Sequence, residues 1–100
     1  KIIQKKILLK KIHKINLKIY LIKIDVNGHE LSVIKGLSNI IKKDKPALIV
    51  ETDKSIKKIN NYLKKFNYSK YTFLKGSNSF VKIEKIYPLN TYFLQPSHLN

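Results

Sequence analysis

The spacing of hydrophobic residues changes along the chain and predicts alternating helices and strands. In residues 1–15, isoleucines and leucines recur at gaps of three to five with lysines between them. This spacing is typical of an amphipathic helix, which we place at residues 1–16. Residues 18–26 then alternate, with Tyr20, Ile22, Ile24 and Val26 on one face. Such alternation predicts a strand.

A turn and a helix follow this strand. Asn27 and Gly28 interrupt the apolar pattern, and Glu30 lies three residues after Asn27, which is the spacing of a helix N-cap and its reciprocal acid. We expect the helix to continue to about residue 43, because Pro46 prevents it from going further. Its apolar stripe consists of Leu31, Ile34, Leu37 and Ile41.

Residues 47–51 are an apolar run that ends on an acid. This pattern is typical of a strand covered on both faces, as in a parallel sheet with helices on each side. The order strand, helix, strand therefore predicts a right-handed crossover. A second helix follows, capped by Asp53 or Ser55 and ended by Asn67; its apolar stripe consists of Ile56, Ile59, Leu63 and Phe66.

The last third of the chain is aromatic and strand-like. We predict strands around residues 71–73, 80–86 and 91–95, and no long helix separates them, so at least one pair should be antiparallel. The predicted fold class is α/β: three layers around a mixed sheet of about four or five strands, mostly parallel, with an antiparallel C-terminal part. One hundred residues make a single domain, and we see no internal repeat.

Two of the predicted parallel strands end on acids, Asp25 and Glu51, and Glu30 follows in the next turn. If the strands are neighbours, their ends lie about 5 Å apart. The carboxylates could bind a hard divalent cation, act as a general base, or hydrogen-bond a ligand's hydroxyls and amines. Alternatively, Glu30 caps the helix and Asp25 accepts amide protons from its own turn.

His29 is a further acid–base candidate because histidine titrates near neutral pH, although a histidine in the first helical turn is often merely exposed. The sequence contains no phosphate-binding loop, nucleophile elbow or metalloprotease motif. Its three glycines are isolated, so a Gly-rich dinucleotide loop is absent as well. We assign no metal-ligand set.

The net charge of +15 comes from 21 lysines without a single arginine. A charge this basic attracts polyanions, so a small module that binds nucleic acid or an anionic surface is the alternative function. Proteins that read phosphates and bases usually use arginine, however, and a coding bias toward lysine explains the composition without a ligand. A salt-sensitive affinity would distinguish the two readings.

The remaining composition bears on cellular location. The chain lacks cysteine, has no apolar run long enough to span a membrane, and shows no signal-peptide pattern. We therefore expect a cytoplasmic protein. Because the chain starts with Lys1 and contains no methionine, we also expect that residue 1 is not a translation start.

The strand-to-helix corner resembles the FkbM family of S-adenosylmethionine-dependent methyltransferases. That family's pattern is Lys-Ile-Asp-Val-Glu-Gly-x-Glu, followed by Leu-Lys-Gly, a helix, a proline and an apolar strand ending in Glu. The matching pieces here are residues 22–31, residues 33–36, Pro46 and residues 49–51. Residues 90–94 also resemble the strand that closes such domains. Position 27 departs from the pattern, since Asn replaces Glu and removes a charge.

The resemblance implies the C-terminal half of a Rossmann-like methyltransferase sheet over residues 17–96, with residues 18–26 as a strand whose outer edge is unpaired. It implies S-adenosylmethionine as cofactor and a small-molecule acceptor, a hydroxyl of a sugar or secondary metabolite. Asp25 and Glu51, then Glu30 and His29, are the implied catalytic residues. Asp25, Asn27 and Gly28 are the implied cofactor contacts. The family's main cofactor-binding half has no counterpart here, so we expect this chain to be inactive by itself.

Overall fold

The structure, a computed structural model, describes residues 2–3, 18–26, 28–83 and 89–99. Its strands are β1 (Ile2–Ile3), β2 (Leu21–Ile24), β3 (Ala47–Glu51), β4 (Ser69–Leu74), β5 (Ser79–Lys82) and β6 (Asn90–Leu94). Its helices are α1 (Glu30–Gly36), α2 (Ser38–Asp44) and α3 (Ile56–Lys64), followed at the end by a 3-10 turn, Pro96–Leu99. None of the described helices has the length and apolar character needed to cross a membrane.

The described strands form one mixed sheet in the order β1-β2-β3-β6-β4-β5. β1, β2 and β3 are parallel, whereas β6 is antiparallel to both β3 and β4, and β4 is antiparallel to β5. The α/β class and the antiparallel C-terminal part therefore agree with the sequence prediction. The prediction of a mostly parallel sheet of four or five strands was wrong, because the described sheet has six strands and three of its five pairings are antiparallel. The outer edge of β2 is not left unpaired as predicted, because β1 pairs with it at Leu21 and Ile22.

The core lies on one face of this sheet. Ile22, Leu48 and Phe93 are register partners across β2, β3 and β6, and all three are buried. The described helices cover them with one cluster of apolar side chains: Ile34 from α1, Ile40 and Ile41 from α2, and Ile56, Ile59 and Leu63 from α3. Within the described residues the fold has two layers, without the third layer that the sequence analysis expected.

The helix predicted over residues 30–43 is two helices. Leu37 lies between α1 and α2 with φ −96° and ψ 9°, and its N–H contacts the carbonyl oxygens of both Val33 and Ile34. Leu37 itself is buried in the core. The apolar spacing therefore continues through the break, which explains why periodicity alone does not reveal it.

Two predictions about helix starts were wrong. α1 begins at Glu30 with His29 as its N-cap residue, so Glu30 occupies the first helical position rather than the third. Asn27, the predicted cap, lies outside the described residues. At the N-terminus, Ile2 and Ile3 form a strand instead of a helix; the remainder of that predicted helix, in residues 4–17, also lies outside the described residues.

A left-handed residue ends α2, and another lies in the turn after α3. Lys45 has φ 51° after α2, and Asn67 has φ 68° in the turn after α3. The left-handed backbone of Asn67 agrees with the prediction, since asparagine tolerates it, but the C-cap residue of α3 is Lys65. The C-terminal 3-10 turn contacts the end of α2 through His98, whose Nδ1 accepts the Gln95 N–H at 2.8 Å while Nε2 lies 2.8 Å from the Lys45 carbonyl oxygen. This pair of bonds fits a neutral imidazole with its proton on Nε2.

Tyr68 connects the loop after α3 to the start of β3. Its side chain is buried, and its hydroxyl donates to the Pro46 carbonyl oxygen at 2.6 Å. Burial raises the pKa of the Tyr68 hydroxyl, since the ionised form would lose its hydration. The hydroxyl therefore stays protonated and keeps donating.

Replacing Tyr68 with Phe should lower the free energy of unfolding by about 1–3 kcal/mol, because the Pro46 carbonyl oxygen loses a buried donor. Urea denaturation measures this loss. Tyr62→Phe is the matched control: the half-buried Tyr62 ring keeps its contact with Phe66 at 5.5 Å. Equal effects of the two substitutions would contradict a role for the Tyr68 hydroxyl.

Candidate functional site

The candidate site lies where β2 and β3 end side by side. Leu21 pairs with Ala47 and Ile24 with Val50, so Asp25, just after β2, and Glu51, the last residue of β3, lie at the same end of the two strands. Both side chains are exposed. The two strands are neighbours, which is the condition under which the sequence places their acids in one crevice. Carboxyl ends of parallel strands are the usual location of ligand sites in open α/β sheets.

Asp25 raises the pKa of the Glu51 carboxyl above its ordinary value, first through a hydrogen bond between the two carboxyl groups and then through charge repulsion. Burial adds a smaller contribution, and the charges of Glu30 and Asp53 act in the same direction. Four carboxyl groups from β2, β3 and the segments after them thus lie near one another.

Glu30 holds the turn between β2 and α1. Its side chain is only 1% exposed, and its Oε1 accepts the Gly28 N–H at 3.0 Å. Gly28 has φ +88°, a conformation that favours glycine, and a Cβ there would meet no atom within 4 Å. Glu30 therefore fills the helix-start role that the sequence offered as an alternative to catalysis, by accepting the N–H of Gly28. The exposed backbone at Gly28 leaves open space beside the carboxylates.

Asp53 belongs to this group of carboxylates but was not chosen from the sequence. Its Oδ1 accepts from the Ser55 N–H at 2.7 Å and the Ser55 hydroxyl at 2.6 Å. These bonds, with a smaller contribution from Glu30, lower the pKa of the Asp53 carboxyl. Its position two residues after Glu51, before a predicted helix, is the signal that could have placed it here.

The end of β3 is held by the last strand. The Thr52 N–H donates to the Leu89 carbonyl oxygen at 2.9 Å, and the hydroxyl of Thr52 lies 2.7 Å from that of the buried Thr91. Asn90 is the register partner of Glu51 and is half-buried beside it. The sequence could not reveal this neighbour, because antiparallel register between distant strands leaves no local pattern.

The structure does not show the other predicted site residues, His29 and Asn27, in the carboxylate group. His29 is exposed, and no contact of its ring contributes to the shifted pKa of Glu51. Asn27 lies outside the described residues. Within those residues, no set of three or more acidic or histidine side chains is arranged to hold a metal ion.

A pocket of about 330 Å³ lies far from the carboxylates, at the opposite end of β2 and β3. Its lining includes Lys18, Tyr20, Lys43 and His98. These residues precede β2, end α2 or belong to the 3-10 turn. The candidate site is therefore an open edge of the sheet rather than this pocket.

Replacing Asp25 with Asn should return the pKa of Glu51 toward its ordinary value, because it removes both the hydrogen bond and the charge that raise it. A carbon-detected NMR titration of the side-chain carboxyl measures the change. Because the pKa of Glu51 is raised in the folded state, the fold loses stability as pH rises through that pKa and Glu51 ionises. Asp25→Asn removes the cause of this loss, so it should stabilise the chain more at pH 7 than at pH 4.

Asp53→Asn is the control for this titration, since Asp53 is the smallest of the named causes of the Glu51 shift. It should move the pKa of Glu51 less than Asp25→Asn does. An unchanged Glu51 titration in the Asp25→Asn variant would show that the two carboxyl groups do not interact.

Comparison with known proteins gives one match. Residues 5–70 match the model of the methyltransferase FkbM domain, a segment that includes β2, α1, α2, β3, α3 and the first residues of β4. No curated protein and no solved structure matches the chain. Because the matched segment contains more than half of the sequence, including Asp25, Glu30, Glu51 and Asp53, the chain belongs to the FkbM methyltransferase family.

Proposed function

We propose that this chain forms the acceptor side of the active site of an S-adenosylmethionine-dependent O-methyltransferase. The acceptor would be a small molecule with a hydroxyl group, such as a sugar or a secondary metabolite. The observation that carries the proposal is the Asp25–Glu51 pair at the carboxyl end of two parallel strands, in which a hydrogen bond with Asp25, and then its like charge, raise the pKa of Glu51. Family membership supports the reaction class.

Glu51 is the proposed general base. A carboxylate whose pKa is raised binds a proton more readily, so it is better suited to take the proton that an acceptor hydroxyl loses. Asp25 would be the positioning residue that raises the pKa of Glu51 and orients it by hydrogen bonding. Glu30 would keep the turn at Gly28 in place, and the exposed His29 would border the acceptor.

The residues present fit one side of the cofactor. When bound, S-adenosylmethionine would supply a methyl group carried by a positively charged sulfur. Once the methyl group is transferred, that sulfur is part of a neutral thioether, the leaving group. Asp25 and Glu51 give this edge a local negative charge that favours a cationic group. Gly28 lets a ligand approach its backbone closely, since no side chain occupies that space. These residues would contact the cofactor without enclosing it.

We further propose that most of the contacts that bind the cofactor come from residues outside this sequence, because the 100 residues contain no Gly-rich loop. Titrated with S-adenosylmethionine in a calorimeter, the chain should show no heat of binding at micromolar concentrations. Micromolar affinity would contradict this division of the site.

Activity should depend on Glu51 in the natural polypeptide that carries this sequence. With a radiolabelled methyl donor and a panel of hydroxyl acceptors, Glu51→Gln should lower kcat about a hundredfold, the usual contribution of a general base. Asp25→Asn should instead shift the acidic limb of the pH–rate profile to lower pH, because the pKa of Glu51 falls. Lys57→Gln, on the exposed side of α3, is the control and should change neither quantity.

If Asp25→Asn abolished activity at every pH, Asp25 would be the base and the proposed roles would be reversed. An acidic limb that did not move in Asp25→Asn would also contradict them. Transfer to none of the hydroxyl acceptors, together with transfer to an amine, would overturn the proposed acceptor class.

A further inference from the structure

Asn90 of β6 lies next to the proposed base, Glu51 of β3. The two are register partners in the antiparallel ladder. One residue further along, the Thr52 N–H donates to the Leu89 carbonyl oxygen at 2.9 Å, so those two residues form a hydrogen-bonded pair. Hydrogen-bonded and non-hydrogen-bonded pairs alternate in such a ladder, and the side chains of a non-hydrogen-bonded pair are the closer ones. Glu51 and Asn90 are a pair of this closer kind, with Cβ atoms about 5 Å apart.

Asp25, Glu51 and Asn90 form a row across the ends of three adjacent strands. Asp25 follows Ile24, which pairs with Val50, and it hydrogen-bonds to Glu51. Asn90 lies on the other side of Glu51, and directly opposite residues of a ladder point to the same face of the sheet. Neighbouring strands are about 4.8 Å apart, so the row is about 10 Å long with Glu51 at its centre. A small molecule that contacts the Glu51 carboxyl therefore lies within reach of Asn90 as well.

The Asn90 side chain does not adjust the charge of its neighbour. The pKa of Glu51 is raised by the surrounding carboxyl groups, Asp25 above all, and by burial. The Asn90 amide is neutral, and between described residues it makes no hydrogen bond, to Glu51 or to any other group. Its position is nevertheless fixed, because the pairing of β3 with β6 holds its backbone and the side chain is half-buried. Asn90 is therefore placed to offer hydrogen bonds to a bound molecule rather than to change the base.

The row offers two different kinds of hydrogen-bonding group. An ionised carboxylate can only accept hydrogen bonds, whereas an asparagine amide has two N–H donors and a carbonyl oxygen. A hydroxyl that gives its proton to Glu51 is the donor in that contact. A second oxygen beside this hydroxyl would be repelled by the carboxylate oxygens, but it could accept from the Asn90 N–H. The pair of Glu51 and Asn90 is therefore suited to a molecule with two oxygens close together.

We propose that Asn90 determines specificity by binding a second oxygen of the methyl acceptor, on the carbon next to the one whose hydroxyl Glu51 deprotonates. This inference rests on the proposed function and narrows its acceptor class. Oxygens on adjacent carbons are close enough together to contact both side chains of the pair, whereas oxygens on opposite sides of a ring are not. The acceptor is then a vicinal diol, such as a sugar ring contains, and not an isolated hydroxyl. Asn90 takes no proton in the reaction.

The test compares matched acceptors with the natural polypeptide that carries this sequence. With a radiolabelled methyl donor, catechol is compared with phenol, and methyl glucoside with its analogues that lack one hydroxyl. The compound with two adjacent hydroxyls should have a kcat/KM about tenfold higher, which is roughly the effect of one hydrogen bond. Hydroquinone, whose two hydroxyls lie on opposite sides of the ring, should behave like phenol. This comparison uses the unmodified polypeptide and does not depend on any variant folding.

Asn90→Ala should remove the preference for adjacent hydroxyls. For catechol, kcat/KM should fall about tenfold, mainly through a higher KM, because the lost hydrogen bond is already made in the bound ground state. For phenol, kcat/KM should stay unchanged, since phenol has no oxygen for the amide to bind. Asn61→Ala, on the exposed side of α3, is the matched control and should keep the preference. An equal loss for catechol and phenol would overturn the proposal, because it would show that Asn90 supports the fold or the base.

Titration of Glu51 in the full 100-residue chain gives a second measurement that is independent of activity. Asn90→Ala should leave the pKa of Glu51 where it is, in contrast to Asp25→Asn, and circular dichroism confirms that the variant is folded. A pKa of Glu51 that moved as far as it does in Asp25→Asn would make Asn90 a positioning residue for the base. That result would contradict the proposed contact with the acceptor.

Two outcomes separate this inference from the proposed function on which it rests. If catechol and phenol are methylated equally well, the acceptor need not be a vicinal diol and the role of Asn90 is wrong, whereas the O-methyltransferase assignment stands. If the natural polypeptide methylates none of the hydroxyl compounds, the proposed function fails and this inference fails with it.

Discussion

The parallel pairing of β2 with β3 determines where every candidate site residue lies. Ile22 and Leu48, then Ile24 and Val50, are paired and buried, and this register places Asp25 next to Glu51. A slip of one residue would turn these core side chains to the other face of the sheet, so the core enforces the register. The start of the pair is fixed as well, because the Ala47 N–H donates to the Tyr20 carbonyl oxygen at 2.9 Å.

The same edge concentrates negative charge in a chain that is otherwise strongly positive. Each carboxyl group has a hydrogen-bond partner. Glu30 accepts the Gly28 N–H, Asp53 accepts the Ser55 N–H, and Glu51 shares a hydrogen bond with Asp25. The hydrogen bond of the Asp25–Glu51 pair stabilises the negative charge least, because both of its members are carboxyl groups. Groups held in this way are more often found at functional sites than in purely structural positions.

Much of the fold could be predicted from local pattern. The parallel strand–helix–strand unit is predicted by the alternation in β2, the apolar run in β3 and Pro46 after α2. The same pattern shows that both strands end on acids. The break at Leu37 could not be predicted, because a buried leucine at the expected spacing continues the helical stripe. Asn90 beside Glu51 could not be predicted either, since its position depends on pairing between β3 and β6, far apart in sequence. Local periodicity identifies elements, whereas the neighbours of a site depend on long-range register.

The position of β6 has a consequence for how the chain folds. It is the last strand in the sequence, yet it lies between β3 and β4, where Phe93 pairs with both Leu48 and Lys70. During synthesis, no backbone hydrogen bonds of the sheet can therefore join the β2–β3 pair to the β4–β5 hairpin until residues 90–94 have left the ribosome. Closing a sheet through its last strand is a long-range event, which slows folding and leaves two interior edges open to wrong pairing in the meantime. A chain shortened by a dozen residues at its C-terminus would lose the strand that joins the two halves of the sheet, although that strand is the last in the sequence.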